Sequence, residues 1–331
     1  MCIDASMALI ETSSYTNKIN NNSSNQEQRE QQREETLDLT PILHVKDVYK
    51  SFDYKNNKNN RVSKIANYEC ISRKQQQQQL LSNSTSNLRT FTHDVLNGVD
   101  LRIREGEFVT IVGPSGCGKS TLLNIIAGLD RPDSGSLLVR GAAEDRNKAS
   151  STNRIMIFQE SALFPWLNVQ ENVEFGLKIA KVHKDRRQQV VDRYIEMVGL
   201  SKFSESLVYQ LSGGMKQRVA IARALAMEPE VLLMDEPFAS LDVQTRDLIH
   251  DELVGIHKTT GKTILFVTHN INEAVLLGDR VIILSSVLKN IKKEFRIDIP
   301  RPRDPESPEL YEIKKQILKE FESDLQIAKR K

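Results

Sequence analysis

The 331-residue sequence has three cysteines, Cys2, Cys70 and Cys117, and no two of them stand at a metal-ligand or disulfide-framework spacing. That excludes a disulfide-stapled secreted scaffold and a zinc module, and it fits a reducing compartment. Long hydrophobic runs are missing too. Stretches such as Val281-Ile-Ile-Leu284 fall far short of the ~18–20 apolar residues that cross a bilayer, so a membrane role has to act through another subunit. Charge is balanced, with 46 Lys+Arg against 44 Asp+Glu and a net charge of +2, so no basic excess calls for nucleic acid. An apolar signal core is lacking near the N-terminus, and Asp4 and Glu11 do not suit an organelle transit peptide. There is no internal repeat and no guanine-specifying Asn-Lys-x-Asp, since Asn147-Lys-Ala-Ser150 lacks the final aspartate.

What is present centres on Gly113-Pro-Ser-Gly-Cys-Gly-Lys-Ser-Thr121, which fits G-x-x-x-x-G-K-[ST]. Gly113, Gly116 and Gly118 let backbone N–H groups turn inward as a nest for phosphates, with Pro114, Ser115, Cys117 and Thr121 completing the loop. A helix starting at the loop adds its positive end, Lys119 a point charge, and the Ser120 hydroxyl a ligand for Mg²⁺. The flanks suit the motif: Glu107–Val112 reads as a buried strand and Ser120–Ala127 as a helix. Cys117 is read as a small residue that the loop tolerates rather than a redox switch.

Along the chain, residues 1–40 are rich in Asn, Ser, Gln and Glu and read as a disordered tail. A strand at Ile42–Val48 precedes a polar, low-complexity insertion over 55–92 that holds a glutamine run at Gln75–Gln79. Strands are expected at Val95–Ile103, Leu137–Val139, Arg154–Phe158, Val231–Met234, Thr263–Thr268 and Arg280–Leu284. The pattern over 160–227 is mostly helical, and a further helix is expected at Val243–His257. The apolar runs signal a parallel sheet buried on both faces. The expected fold is therefore an α/β P-loop NTPase core with a mostly parallel sheet, an N-terminal antiparallel β-subdomain and an inserted helical subdomain. Residues 286–331 form an extension in which Leu310, Ile313, Ile317, Phe321 and Leu325 recur at helical spacing, an amphipathic helix packed on the core.

Two more motifs narrow the chemistry. Val231-Leu-Leu-Met-Asp-Glu-Pro237 is an apolar strand ending in two carboxylates. Asp235 suits Mg²⁺ and Glu236 suits a general base for the water that attacks a γ-phosphate. Leu211-Ser-Gly-Gly-Met-Lys-Gln-Arg218 places Ser212 as the N-cap of a helix read at Val219–Ala226, with Gly213 and Gly214 exposing N–H groups. One chain does not need two γ-phosphate sites, whereas two chains arranged head to tail do.

These residues resemble the ATP-binding cassette (ABC) ATPases, the nucleotide-binding subunits of ABC transporters, over about Ile42–Asp304 and over an ATPase domain set at 41–285. The resemblance implies ATP and Mg²⁺ as cofactors. It assigns Phe52, or its neighbour Tyr54, to adenine stacking, Gln159 to sensing Mg²⁺ and the attacking water, and Ser212, Gly213, Gly214 and Gln217 to a partner's nucleotide. It also makes Asp242 of Ser240-Leu-Asp242 an interface residue and His269 a γ-phosphate switch. Glu160–Val173, with its Phe-Pro-Trp, and Ile299-Pro-Arg-Pro-Arg-Asp304 are similar to the nitrate/sulfonate/taurine importer ATPases, a group that includes bicarbonate and cyanate systems. Ser285-Ser-Val-Leu-Lys-Asn290 departs from that group, which has an Arg-Pro-Gly turn there. The implied partners are a second copy or a homologous ATPase, membrane permease subunits touching Leu163, Phe164 and Trp166, and indirectly a solute-binding protein; the implied location is the cytoplasmic face of the membrane. Trp166 fits a subdomain core equally well. The alternative is an ABC ATPase of another transporter or a non-transport ABC protein.

Overall fold

The computed structural model describes residues 41–55, 90–143 and 154–330. The expected tail at 1–40, most of the insertion at 55–92, Cys2 and Cys70 lie outside the described residues. The edges of that insertion are strand: β1 (Leu43–Lys55) and β2 (Thr90–Ile103) stay paired as far as Lys55 and Thr90. The β2 strand therefore begins well before the expected Val95, because cross-strand pairing extends it where the hydrophobic pattern has faded.

Two sheets are present. One is antiparallel, in the order β2-β1-β4-β5, and adds β4 (Ser134–Val139) and β5 (Ala142–Ala143). The other has six strands in the order β10-β9-β3-β8-β7-β6. Its members β3 (Phe108–Val112), β6 (Arg154–Ile157), β7 (Val231–Asp235), β8 (Thr263–Thr268) and β9 (Arg280–Leu284) run parallel, and only β10 (Ile291–Arg296) is antiparallel. This is the expected α/β class.

The period-two alternation of each central strand divides the core. Leu232, Met234, Ile264 and Phe266 face one apolar cluster, while Val231, Leu233, Leu265 and Val267 face another. The second cluster lies between the two sheets and receives Leu122, Leu123, Ile125 and Ile126 of helix α1 (Lys119–Ala127). The first takes α2 (Val169–Ile179), α3 (Lys184–Met197), α4 (Gly213–Ala226) and α5 (Val243–Thr260). The helices between β6 and β7 thus share one continuous core with the sheet. Asn168 opens α2 with a capping box to Glu171.

A third cluster joins α6 (Ile271–Leu277) to the C-terminal helix α7 (Pro308–Arg330), which buries Leu310 and Ile317 completely. The Pro-Arg-Pro-Arg segment is the clasp between them. Buried Arg303 donates to the carbonyls of Val275, Leu276, Gly278, Ile297 and Ile299, at the end of α6 and in the chain before α7. Burial, with the nearby charge of Arg301, lowers its pKa to about 10. Arg303→Met is expected to destabilise the fold by about 3 kcal/mol, because it strands several buried carbonyls at once. Denaturant unfolding measures this, and an unchanged midpoint would refute the clasp. No helix among the described residues is long and apolar enough to cross a membrane.

Candidate functional site

In a parallel sheet, ligands gather where the strands end. The loop Gly113–Gly118 follows β3, Asp235 ends β7 with Glu236 next, His269 follows β8, and Gln159 lies just beyond β6. The register sets Val112 beside Thr268 and Asp235 beside Val267, so these groups meet along one edge.

Gly113 has no room for a side chain, since a Cβ there would lie 2.5 Å from the Leu284 carbonyl oxygen and 2.6 Å from the Cys117 sulfur. Gly118 has φ of 105°, which favours glycine, and it caps α1 without any side-chain hydrogen bond. The helix N–H groups are thereby left to an anion. Lys119 is 5% exposed; its Nζ donates to the Gly113 and Pro114 carbonyls at 2.8 and 3.2 Å and stands 3.9 Å from Glu236 Oε1. Pro114 is half-buried, while Ser115, Gly116 and Ser120 are exposed and Thr121 is half-buried. Cys117 is fully buried, and burial pushes its thiol up despite the charge of Lys119, which suits an inert filler.

Burial, with a smaller contribution from the charge of Glu236, raises the Asp235 carboxyl above its usual range, against an opposing hydrogen bond from Ser120. Asp235 Oδ1 is buried without a hydrogen-bond partner among the described residues. An orphaned carboxylate oxygen beside a hydroxyl is a fitting pair of oxygens for a hard divalent cation. Glu236 takes up φ of 44°, a strained conformation for a non-glycine residue at a cost of about 1–3 kcal/mol. Its N–H donates to the Val267 carbonyl at 2.9 Å, and its Oε2 accepts from His269 Nδ1 at 2.8 Å. A carboxylate, an imidazole and an ammonium thus converge on an uncapped phosphate loop.

A family described as ABC transporter matches residues 96–239. An uncharacterized ABC transporter ATP-binding protein of Methanocaldococcus jannaschii is 48% identical over 223 residues, 67% of this chain and 82% of that protein. The chain belongs to the ABC transporter ATP-binding proteins. It is an ATPase of that family. The nitrate import ATP-binding protein NrtD of a Synechocystis strain is 46% identical over 67% of this chain and 82% of its own length. The aliphatic sulfonates import ATP-binding protein SsuB of Bacillus cereus is 43% identical over 71% of this chain and 91% of its own length. Among solved structures, cbiO1 of Clostridium perfringens, part of the ABC transporter complex cbiONQ, superposes with a TM-score of 0.61 at 27% identity, covering 78% of this chain and 89% of that one. A dimeric ATP-binding cassette in a post-hydrolysis state with ADP and Pi gives 0.59 at 30% identity, covering 78% and 100%.

The second ABC motif differs from the sequence expectation at one point. Helix α4 begins at Gly213 rather than Val219, with Ser212 as N-cap accepting from Met215 N at 3.2 Å. Capping overrides the low helix propensity of the glycine pair. Ser212 and Gly213 are exposed, whereas Gly214 is buried so closely that a Cβ would meet Thr245 at 2.5 Å. Gln217 is 3% exposed and its Nε2 has no partner among the described residues, so it lies beneath the exposed end of the motif. Asp242 is exposed and caps α5 through Thr245 N, whose hydrogen bond holds the carboxyl below its usual range.

Phe52 is half-buried on β1, packed on the second core cluster, with Lys50 Nζ 5.1 Å from its ring centre. Tyr54 continues the strand, but its side chain lies outside the described residues. Gln159 is exposed. Trp166 is 72% exposed, which removes the subdomain-core reading. Sequence reasoning missed Glu273. This buried acid on α6 accepts from Thr268 Oγ1 at 2.6 Å and faces Arg246 and His250. Burial alone would raise its pKa, but nearby His250, the hydrogen bond from Thr268 and the charge of Arg246 hold it below the usual value. Arg246 in turn donates to the Leu241 carbonyl beside Asp242. Only its place three residues after Asn270, in the first turn of a helix, could have singled it out.

Proposed function

We propose that two copies of this chain, or this chain and a homologous ATPase, sandwich two ATP molecules and drive uptake of a small anion, nitrate or a sulfonate, through membrane permease subunits. The meeting of Glu236, His269 and Lys119 at the phosphate loop carries the hydrolytic half of this reading. Glu236 takes the proton of the attacking water, and His269, whose Nδ1–H donates to Glu236, orients that carboxylate. Lys119 leaves the loop carbonyls for the outer phosphates as ATP enters.

Ser120 and Asp235, with Gln159 just beyond β6, would hold Mg²⁺, which would supply positive charge against that of the phosphates. Exposed Ser212 and Gly213, at a helix N-terminus, would take the γ-phosphate of the partner's ATP, with Gly214 and Gln217 supporting from beneath and Asp242 at the interface. Phe52 would stack on adenine. The dimeric cassette among the structural relatives supports the pairing, and the cbiONQ component supports a permease partner. Exposed Trp166, with Phe164 5.7 Å away, would meet the permease. The chain would then work at the cytoplasmic face of the membrane, supplied by a solute-binding protein.

The names of NrtD and SsuB support the choice of cargo. Uptake of labelled nitrate, taurine and bicarbonate, followed in parallel in a strain carrying Glu236→Gln, tests it. Loss of nitrate or taurine uptake alone is expected; normal uptake of all three would reject the anion importer.

A further inference from the structure

We infer that Asp324, far along the C-terminal helix, is a positioning residue for the nucleotide site, acting through the turn Ser285–Asn290. That turn joins β9 to β10 and is the segment whose sequence departs from the importer pattern.

Asp324 is 2% exposed and Ser285 fully buried. Val287 N and Leu288 N donate into Ser285 Oγ at 3.1 and 2.9 Å, so the hydroxyl proton is left to point at Asp324 Oδ1. Ser286 adds its N–H and its hydroxyl to Oδ2, each at 2.9 Å. One buried carboxylate therefore collects the donors of the first half of the turn and ties them to α7.

The other end of the turn reaches the antiparallel sheet. Asn97 N donates to the Lys289 carbonyl at 2.7 Å, and Asn290 Nδ2 donates to the Gly98 carbonyl at 3.0 Å. Both contacts lie beside the walls of the phosphate loop. Gly113 is seated against the Leu284 carbonyl, immediately before the turn. Gly118 is seated against Val95 and Leu96, immediately before Asn97; a Cβ there would lie 2.8 Å from Leu96 Cδ2 and 3.0 Å from the Val95 oxygen. The turn fastens these two walls together, and Asp324 fastens the turn. Glu236 and His269 directly follow β7 and β8, outside this fastening, so the device acts on how ATP is gripped rather than on the proton transfer.

The test measures affinity of the purified full chain for a fluorescent ATP analogue together with steady-state ATPase. Asp324→Ala is expected to raise Kd and KM by about 10-fold, since misplacing binding groups by a fraction of an ångström suffices. The kcat at saturating ATP should stay within about 2-fold of wild type, and Asp324→Asn, which keeps one acceptor oxygen but turns an N–H₂ toward the donors of Ser285 or Ser286, should recover only part of the affinity. Should Asp324→Ala fail to fold, Ser286→Ala removes one hydroxyl only and is expected to raise Kd by about 2- to 3-fold. A folded variant with a lowered Tm but wild-type Kd and KM would show an anchor of the helix alone and overturn the inference. So would a fall in kcat with Kd unchanged.

Discussion

Glu236→Gln is expected to leave ATP bound and to lower kcat by about 10²–10⁴-fold, the usual contribution of a positioned general base. The substitution is nearly isosteric. It keeps the backbone hydrogen bond to Val267 and the strained φ, so the loop between β7 and α5 has no reason to move. What it removes is the proton acceptor beside His269 Nδ1 and the charge 3.9 Å from Lys119. Removing that charge leaves the site less negative toward a phosphate, so ATP affinity should hold or improve. Hydrolysis would stall with nucleotide bound, and a pair of chains would persist as an ATP-loaded dimer, visible as a doubled mass in light scattering with ATP. A turnover near wild type would show that another group takes the proton.

Lys119→Ala acts on the other side of the same balance. Lys119 is nearly buried, braced on two carbonyls of its own loop. Its replacement withdraws a charge-assisted contact to the outer phosphates, worth about 1.5–3 kcal/mol, so ATP affinity should fall about 10- to 100-fold. The fold should survive, because the loop is also shaped by Gly113 against Leu284 and by Gly118 in its left-handed conformation. Equilibrium binding of ATP to the intact chain checks this, and an unchanged Kd would remove Lys119 from the phosphate site. The two variants together separate gripping from splitting: one binds without turnover, the other loses the grip.

Much of the site was legible because its parts are local. A glycine loop, an apolar strand closed by two carboxylates and a Ser-Gly-Gly helix start are each contained within a few residues, where backbone geometry dictates composition. The reading failed where a boundary depended on a partner. β2 runs back to Thr90 because β1 pairs with it, and α4 begins at Gly213 because Ser212 caps it. Trp166 could be core or surface in the sequence, since an aromatic residue in a helical region suits either; the structure places it in an exposed turn before α2. Glu273, Arg246 and Asp324 carry no motif, since a buried acid is recognisable only from the donors that surround it.

The sequence by itself determined the class and the candidate chemistry: a phosphate-loop motif, an aspartate proposed for Mg²⁺, a glutamate proposed as base, and a parallel sheet to hold them. Tertiary structure alone decided which distant residues brace the scaffold around it. Glu273 lies between the histidine loop and α5, Arg303 closes the end of α6, and Asp324 fastens the turn behind Gly113. The reason is physical. A covalent neighbour constrains a residue through backbone dihedrals, which leave a mark in local composition. A neighbour across the fold constrains it through burial and hydrogen-bond pairing, which exist only once the strands and helices have been brought together.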